Sequence, residues 1–483
     1  MKLGRITALT IALVSILNFS AVQAEAQTTP RKYGIFYLAL GCLSTSMNYD
    51  ISKYLSGEQA LGPVPEIHWW TEPAKGYYCI TRDRQVARDH AVQLRDAGID
   101  FVYFDATNFV DATNGQAIAS SLDPLKVVLE EWSQIPGAPK VAVWVPFAAG
   151  ATMPDALDAI LSQYPSMNFQ YGGKPLMFIA TNPAFPVDSA LKTRMGQKYT
   201  LRNLWAYRTD RTSWSFMEKC LGDFKSTGGT GTCNQRVAYN PSLTAVEQIS
   251  VSAAYQNTYM SNFDTAVPQF GGKTLIAQMK RADAYPNAPI VMITGWNELV
   301  AQRLCHINLL PTADCSAPGA SDNIQGRPVF TDQYDKDYNR DIEPTKRYGD
   351  GMYRTLKNEV LKRKAKITGY LDGAVKNADG SVTVRGWACM TTVGESIDTH
   401  VYLGGTAGST GATFAAAGPS SLPSEPAIAS ACQDVLNVPH RFSIVIPAAT
   451  AAGKKGKYIY VHGIHKYGGA NAAIPNSGKI RMP

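Results

Sequence analysis

The chain has 483 residues, 45% of them hydrophobic and 18% charged, with 46 Lys and Arg against 39 Asp and Glu. Such a composition gives ample apolar surface for at least one large core and excludes a disordered tail or a polytopic membrane protein. A surplus of +7 over this length argues against a dedicated nucleic-acid binder and is compatible with neutral or acidic polysaccharide partners.

Residues 1–24 read as a secretory signal peptide. Lys2 and Arg5 flank an apolar stretch over 6–19, and Val22-Gln23-Ala24 offers a small-residue cleavage site. The stretch is too short to span a bilayer, and no later segment reaches the required length, so no membrane span is expected. A secreted or periplasmic location follows, in a compartment that permits disulfides. The eight cysteines fall into four sequence-local pairs: Cys42 with Cys79, Cys220 with Cys233, Cys305 with Cys315, and Cys389 with Cys432. Other connectivities are open to eight cysteines, but no Cys-x-x-Cys and no zinc-finger spacing occurs. Loop staples are therefore expected rather than a metal or other cofactor site.

From Tyr33 onward, short apolar runs alternate with helical patterns. Strand-like runs occupy 33–40, 99–104, 140–147, 175–180, 201–207, 248–254 and 289–294. Helical stretches occupy 83–97, 124–135, 155–164 and 345–361. In the first helix Val86, His90 and Leu94 recur four apart on one face, His90 reads as a core histidine, and Gly98 supplies the stop. The alternation predicts an α/β chain, a (β/α)8 TIM-like barrel over 25–365. An open doubly wound sheet is disfavoured because no Gly-x-Gly-x-x-Gly follows the first strand. The basic run Lys362-Arg-Lys-Ala-Lys366 reads as a solvated helix end. Beyond it, strand-like pieces at 381–385, 399–403, 441–446 and 458–462, parted by turn signals such as Asp379-Gly380, predict a small all-β, β-sandwich-like domain over 366–483.

In a parallel barrel, chemistry gathers at the C-terminal strand ends. Asp105 directly follows Phe101-Val-Tyr-Phe104, and Glu298 closes Ile290-Val-Met-Ile-Thr-Gly-Trp-Asn297. Two acids placed this way can separate their proton affinities, one protonating a glycosidic oxygen while the other assists attack. The plainer alternative for each is an acid that orders a loop or caps a helix. The loop carrying His68, Trp69 and Trp70, with Tyr78 close behind, offers aromatic faces and polar tips suited to sugar rings. Packing of that loop onto the barrel is the alternative.

The acidic stretch 331–344 invites a calcium loop, but Arg340 stands where an EF-hand needs Gly and Lys346 where it needs Glu. The preferred reading makes it the last barrel loop, with Asp341 and Glu343 at the mouth. No Gly-x-Ser-x-Gly elbow, His-Glu-x-x-His or phosphate-binding Gly-Lys loop is present.

These stretches resemble a bacterial branch related to the family 71 and family 99 glycoside hydrolases, (β/α)8 enzymes acting on α-glucans and α-mannans. The resemblance covers residues 33–362. It is carried by His68-Trp-Trp with Gly76-Tyr-Tyr, by Ile99-Asp-Phe-Val-Tyr-Phe-Asp-Ala-Thr-Asn108, by Gly295-Trp-Asn-Glu298 and by Asp341-Ile-Glu-Pro344. It implies that Glu298 is the first glutamate of the family 99 Asn-Glu-aromatic-x-Glu motif, which assists the substrate 2-hydroxyl. The second, the acid/base of that family, is Ala301 here. The family mechanism therefore does not transfer intact, and a partner carboxylate must come from elsewhere: Asp105 first, with Glu343, Asp341 or Glu247 behind it.

The resulting expectation is a glycoside hydrolase that cleaves a polysaccharide internally without metal or cofactor. Glu298 would be its acid/base and Asp105 an assisting carboxylate or nucleophile. His68, Trp69, Trp70, Tyr78, Asn108, Trp296, Asn297, Asp341 and Glu343 would line the substrate site. The Ala301 departure keeps open a non-catalytic polysaccharide-binding protein on a decayed hydrolase barrel, and a third reading is a metal-dependent hydrolase using the 332–343 cluster. The C-terminal segment, with Gly369-Tyr-Leu-Asp-Gly373 and Gly386-Trp-Ala-Cys389, is similar to β-modules of secreted bacterial carbohydrate-active proteins.

Overall fold

The computed structural model describes residues 30–42, 47–107, 122–181, 186–256, 266–308, 310–331 and 336–483. The expected signal peptide and Asn108 lie outside them. The chain opens with β1 (Lys32–Tyr37), α1 (Ile51–Leu55), β2 (Ile67–Trp69), α2 (Arg84–Asp96), β3 (Phe101–Asp105), α3 (Leu122–Ser133), β4 (Lys140–Val145) and α4 (Met153–Leu161). It continues through β5 (Gln170–Tyr171), β6 (Lys174–Ala180), α5 (Ser189–Lys198), β7 (Thr200–Trp205), β8 (Trp214–Ser215), β9 (Val237–Tyr239), β10 (Val246–Val251), α6 (Lys273–Asp283) and β11 (Ile290–Ile293). β12 (Val300–Ile307), β13 (Leu310–Thr312), β14 (Asn323–Ile324) and β15 (Arg327–Phe330) join β2 in a second, smaller sheet, and α7 (Gly351–Lys364) follows.

Local chemistry accounts for these elements. Every residue of β11 is buried, as a parallel strand covered on both faces requires. In α2 the residues Val86, Ala87, His90, Ala91 and Leu94 form one buried stripe. Gly98, at φ +77°, turns the chain out of the helix where a Cβ would be strained.

The main sheet runs β8-β7-β6-β4-β3-β1-β11-β10-β9, with β5 paired to β6. Neighbours from β8 to β10 are parallel, while β9 and β5 pair antiparallel. This corrects the expected (β/α)8 TIM-like barrel: the sheet is mixed and only nearly closed, and strands and helices do not alternate regularly. No helix lies between β7 and β8 or between β8 and β10, where the chain is wholly described.

The physical reason is visible in the sequence of that stretch. Residues 216–236 carry Gly222, Gly228, Gly229 and Gly231, lack a helical apolar period, and are stapled by Cys220–Cys233. β8 is only two residues long and makes no ladder with β10. Side chains bridge the seam instead: Gln248 Nε2 donates to the Ser215 carbonyl at 2.7 Å and the Ser250 hydroxyl to the same oxygen at 2.8 Å.

The segment expected as a β-sandwich folds as two separate antiparallel sheets and two short helices. Its elements are β16 (Ile367–Lys376), β17 (Val382–Met390), β18 (Asp398–Leu403), β19 (Thr413–Pro419), α8 (Pro426–Cys432), β20 (Arg441–Ile446), α9 (Ala448–Ala451), β21 (Ile459–Gly463) and β22 (Ala472–Ala473). The orders are β16-β17-β20 and β19-β18-β21-β22. Between them Leu371, Val384, Ile444, Val401, Leu403 and Val461 form a core separate from that of the main sheet.

All four expected disulfides are formed. Among the described residues no helix is long and apolar enough to cross a membrane. The basic run is not a solvated helix end. Arg363 is buried and paired with Asp283 and Glu359, and Lys364 with Asp100.

Candidate functional site

The segment 339–343 docks onto the turn that follows β11. Ile342 N donates to the Gly295 and Trp296 carbonyls and Glu343 N to the Trp296 carbonyl. Gly295, at φ +45°, is obligatory here, since a Cβ would overlap the Asp341 carboxylate. Asn297 fixes the other side of the turn: its amide accepts from Leu38 N at 2.9 Å and donates to the Leu38 carbonyl at 2.7 Å. Glu298 is thereby presented at the C-terminal end of the sheet, with its backbone N–H on Asp341 Oδ1 at 2.9 Å.

The Glu298 carboxylate accepts from Arg340 Nη2 at 2.6 Å. The Arg340 side chain is 2% exposed and that of Glu298 18%, so a buried guanidinium backs a carboxylate that solvent still reaches. An adjacent cation favours the charged carboxylate over the acid. Tyr103, wholly buried and with its phenol pushed well above the ordinary value by burial, feels the charges of Arg340, Asp341 and Glu298. Its ring meets Phe36, Phe178 and Phe216 inside the curved sheet. Asp105 stands two residues further along the same strand and so projects from the same inner face. It is 5% exposed and accepts from Thr107 N at 2.8 Å.

Behind this rim lies a buried polar chain. The Tyr37 hydroxyl meets His90 Nδ1 at 2.9 Å, His90 Nε2 meets Glu343 Oε1 at 3.1 Å, and the Tyr78 hydroxyl donates to Glu343 Oε2 at 2.9 Å. Asn297 Nδ2 then donates to the Tyr78 oxygen at 3.1 Å. Burial and the neighbouring Glu343 push both phenols well above their ordinary value, keeping them neutral donors.

The structure thus brings Glu298, Asn297, Asp341, Glu343 and Tyr78 together, but Glu343, Tyr78 and Asn297 face a closed interior. Trp69, Trp70 and Trp296 are also fully buried. Trp69 packs on Tyr77, Trp70 stacks on Tyr348, and Trp296 lies against His90 and Tyr353. His68 accepts from Gly62 N through Nε2 and contacts the Glu66 carbonyl through Nδ1. Burial lowers its pKa to about 4. Ala301 is buried opposite His68 in the β12–β2 ladder. Glu247 lies near the start of β10, at the other end of the sheet, held by Arg202, Tyr171 and Trp214. Asp341 and Glu343 turn to different partners, and no group of three metal-ligating side chains occurs among the described residues. Residues 332–335 of the suggested calcium loop lie outside them.

Reading by sequence missed Arg340 and the participation of Tyr37. Arg340 has a signal in the sequence, as one of two cations, with Lys336, set among alternating acids.

No family model matches the chain. No curated protein matches it either. Among solved structures, the apo form of Bacteroides uniformis β-glucuronidase 3 aligns with TM-score 0.28 and 10% identity over 81% of this chain and 46% of that one. This chain therefore spans less than half of that protein. Wild-type OgpA from Akkermansia muciniphila aligns with TM-score 0.17 and 9% identity over 96% of each chain. At such scores neither likeness carries an argument, and membership of families 71 or 99 is not shown.

Proposed function

We propose that the protein is a secreted or periplasmic glycoside hydrolase that cuts a polysaccharide internally, with Glu298 and Asp105 as its two carboxylates. The observation that carries the reading is the Glu298 carboxylate, partly open and backed by buried Arg340, at the sheet end where Asp105 leaves the inner face. One strand, β1, separates β3 from β11, so their ends lie about 10 Å apart, room for a sugar ring. The Arg340 pair suits Glu298 to act as the charged group, attacking the sugar or activating water. Asp105, at the neighbouring strand end, is then the group that would pass a proton to the leaving oxygen. This reverses the roles expected from sequence.

The purified protein is tested against a panel of neutral and acidic polysaccharides, with new reducing ends as the readout. Their appearance with wild-type protein and loss with Glu298→Gln supports the proposal, whereas wild-type turnover by that variant removes Glu298 from the mechanism.

One observation favours a second reading. Ala301 lies in a sheet ladder with no carboxylate at that position, which suits a binding protein. Polysaccharide binding without reducing ends would establish it.

A further inference from the structure

The inner face of the β16-β17-β20 sheet feeds the C-terminal core through Leu371, Val384 and Ile444, while its outer face stays open. The register sets Tyr370, Trp387 and Arg441 directly opposite one another across the three strands, and so on one face. Alternation makes that face the outer one, and Tyr370 is 45% exposed. Trp387 is half-buried, packed on the small cluster of Cys389, Ile428 and Cys432 where a disulfide ties α8 to β17. Neither the Tyr370 hydroxyl nor Trp387 Nε1 makes a hydrogen bond among the described residues, and neither is a buried orphan, so both polar tips reach solvent.

A fixed array of polar groups lies beside the rings. Glu425 holds Arg441 through two contacts at 2.7 and 2.8 Å, and Asp372 holds it at 2.7 Å from the far side of β17. The Asp372 and Glu425 side chains are 40% and 58% exposed, so each carboxylate keeps lone pairs for an outside donor. Arg385, two residues before Trp387 on the same face, is exposed and makes no ion pair among the described residues.

This chemistry selects an occupant. Ring faces with free polar tips, next to exposed carboxylates, suit the C–H surfaces and hydroxyls of a sugar chain. Arg385 and Arg441 balance Asp372 and Glu425, so the face offers no net charge to a polyanion. An apolar protein surface would desolvate these charges without pairing them. Size excludes a second copy of the chain: three strands about 4.8 Å apart, taken over about five residues each, offer roughly 200 Å², against about 800 Å² per partner in a stable interface.

We propose that this face binds a segment of neutral polysaccharide, with sugar rings on Trp387 and Tyr370 and hydroxyls donating to Asp372 and Glu425. It shares no residue with the hydrolase reading, and the two fail separately, this one on binding and that one on new reducing ends.

The test is titration calorimetry of the full chain with pullulan, galactomannan, xyloglucan and laminarin, and with polygalacturonate as the acidic counterpart. At least one neutral polymer should bind, and more tightly than polygalacturonate. Trp387→Ala should weaken that binding about tenfold, but Trp387 also packs on Ile428 and Cys432. Tyr370→Ala therefore carries the test. It removes an exposed ring that makes no hydrogen bond, should keep the wild-type circular dichroism spectrum, and should weaken the same polymer about tenfold. Binding of none of the four neutral polymers, tighter binding of polygalacturonate, or unchanged affinity in Tyr370→Ala would each overturn the proposal.

Discussion

Arg340 lies buried beneath the carboxylate of Glu298, its Nη2 donating at 2.6 Å, although the two residues are joined only through the docking of the 339–343 segment onto the turn after β11. A buried guanidinium is expensive to desolvate, and removing one partner of such a pair destabilises by about 3–5 kcal/mol. The chain carries this cost at the residue proposed above as a catalytic carboxylate.

The Glu298→Gln variant keeps an oxygen for Arg340 and should fold. Hydrolysis of a responsive polysaccharide should fall by about 100-fold or more, the scale of a lost acid/base or nucleophilic group. Arg340→Gln should act differently. The glutamine side chain is too short to keep the 2.6 Å contact, so the Glu298 side chain loses its fixed position and kcat/KM should fall about tenfold or more while the protein still folds. Wild-type kcat/KM in Arg340→Gln would show that the pair does not position Glu298.

Gly295→Ala addresses the docking itself. A methyl group at φ +45° would meet the Asp341 carboxylate, which holds Glu298 N. The substitution should cost roughly 1–3 kcal/mol through strain and displacement, and should lower activity beyond what the stability loss explains. Urea unfolding alongside initial rates measures both.

Much of this frame was legible in the sequence because the signals were local. Asp83 and Gly98 bracket α2, apolar runs mark the parallel strands, and sequence-near cysteines pair as their spacing suggests. The barrel failed as an expectation where no local signal exists. A two-residue strand at Trp214 cannot show a period, and the seam beside it is made by Gln248, Ser250 and Ser215, polar side chains that hydrophobic patterning passes over. The same limit applies at the site. An aromatic loop such as His68-Trp69-Trp70 has the composition of a sugar platform, but burial depends on what packs over it, here β12, Tyr77 and Tyr348. Arg340 pairs with a residue 42 positions away, so only the folded chain reveals it.

Tyr78→Phe tests the buried chain behind the rim. The change leaves Glu343 Oε2 without its phenolic donor and Asn297 Nδ2 with the Leu38 carbonyl as its remaining acceptor. Unfolding free energy should drop by about 1–3 kcal/mol, the cost of a buried polar group deprived of its partner. If Glu343 serves only the interior, activity per folded molecule should remain within a fewfold of wild type. A large loss at full folding would place the chain in the chemistry.

His68 predicts the acid behaviour of the fold. Burial lowers its pKa from 6.5 to about 4, so the unfolded chain binds a proton there more readily than the folded one. The stabilisation from the neutral ring is therefore complete above about pH 6.5 and is lost as pH falls toward about 4. Gln at this position can accept from Gly62 N and donate to the Glu66 carbonyl without titrating. The urea midpoint of wild type should fall more steeply between pH 6.5 and 4 than that of His68→Gln, and the two curves should run parallel above pH 7. Parallel curves throughout would show that His68 carries no protonation linkage. A steeper fall in the variant would mean that the ring gains its proton in the folded state, against the burial that encloses it.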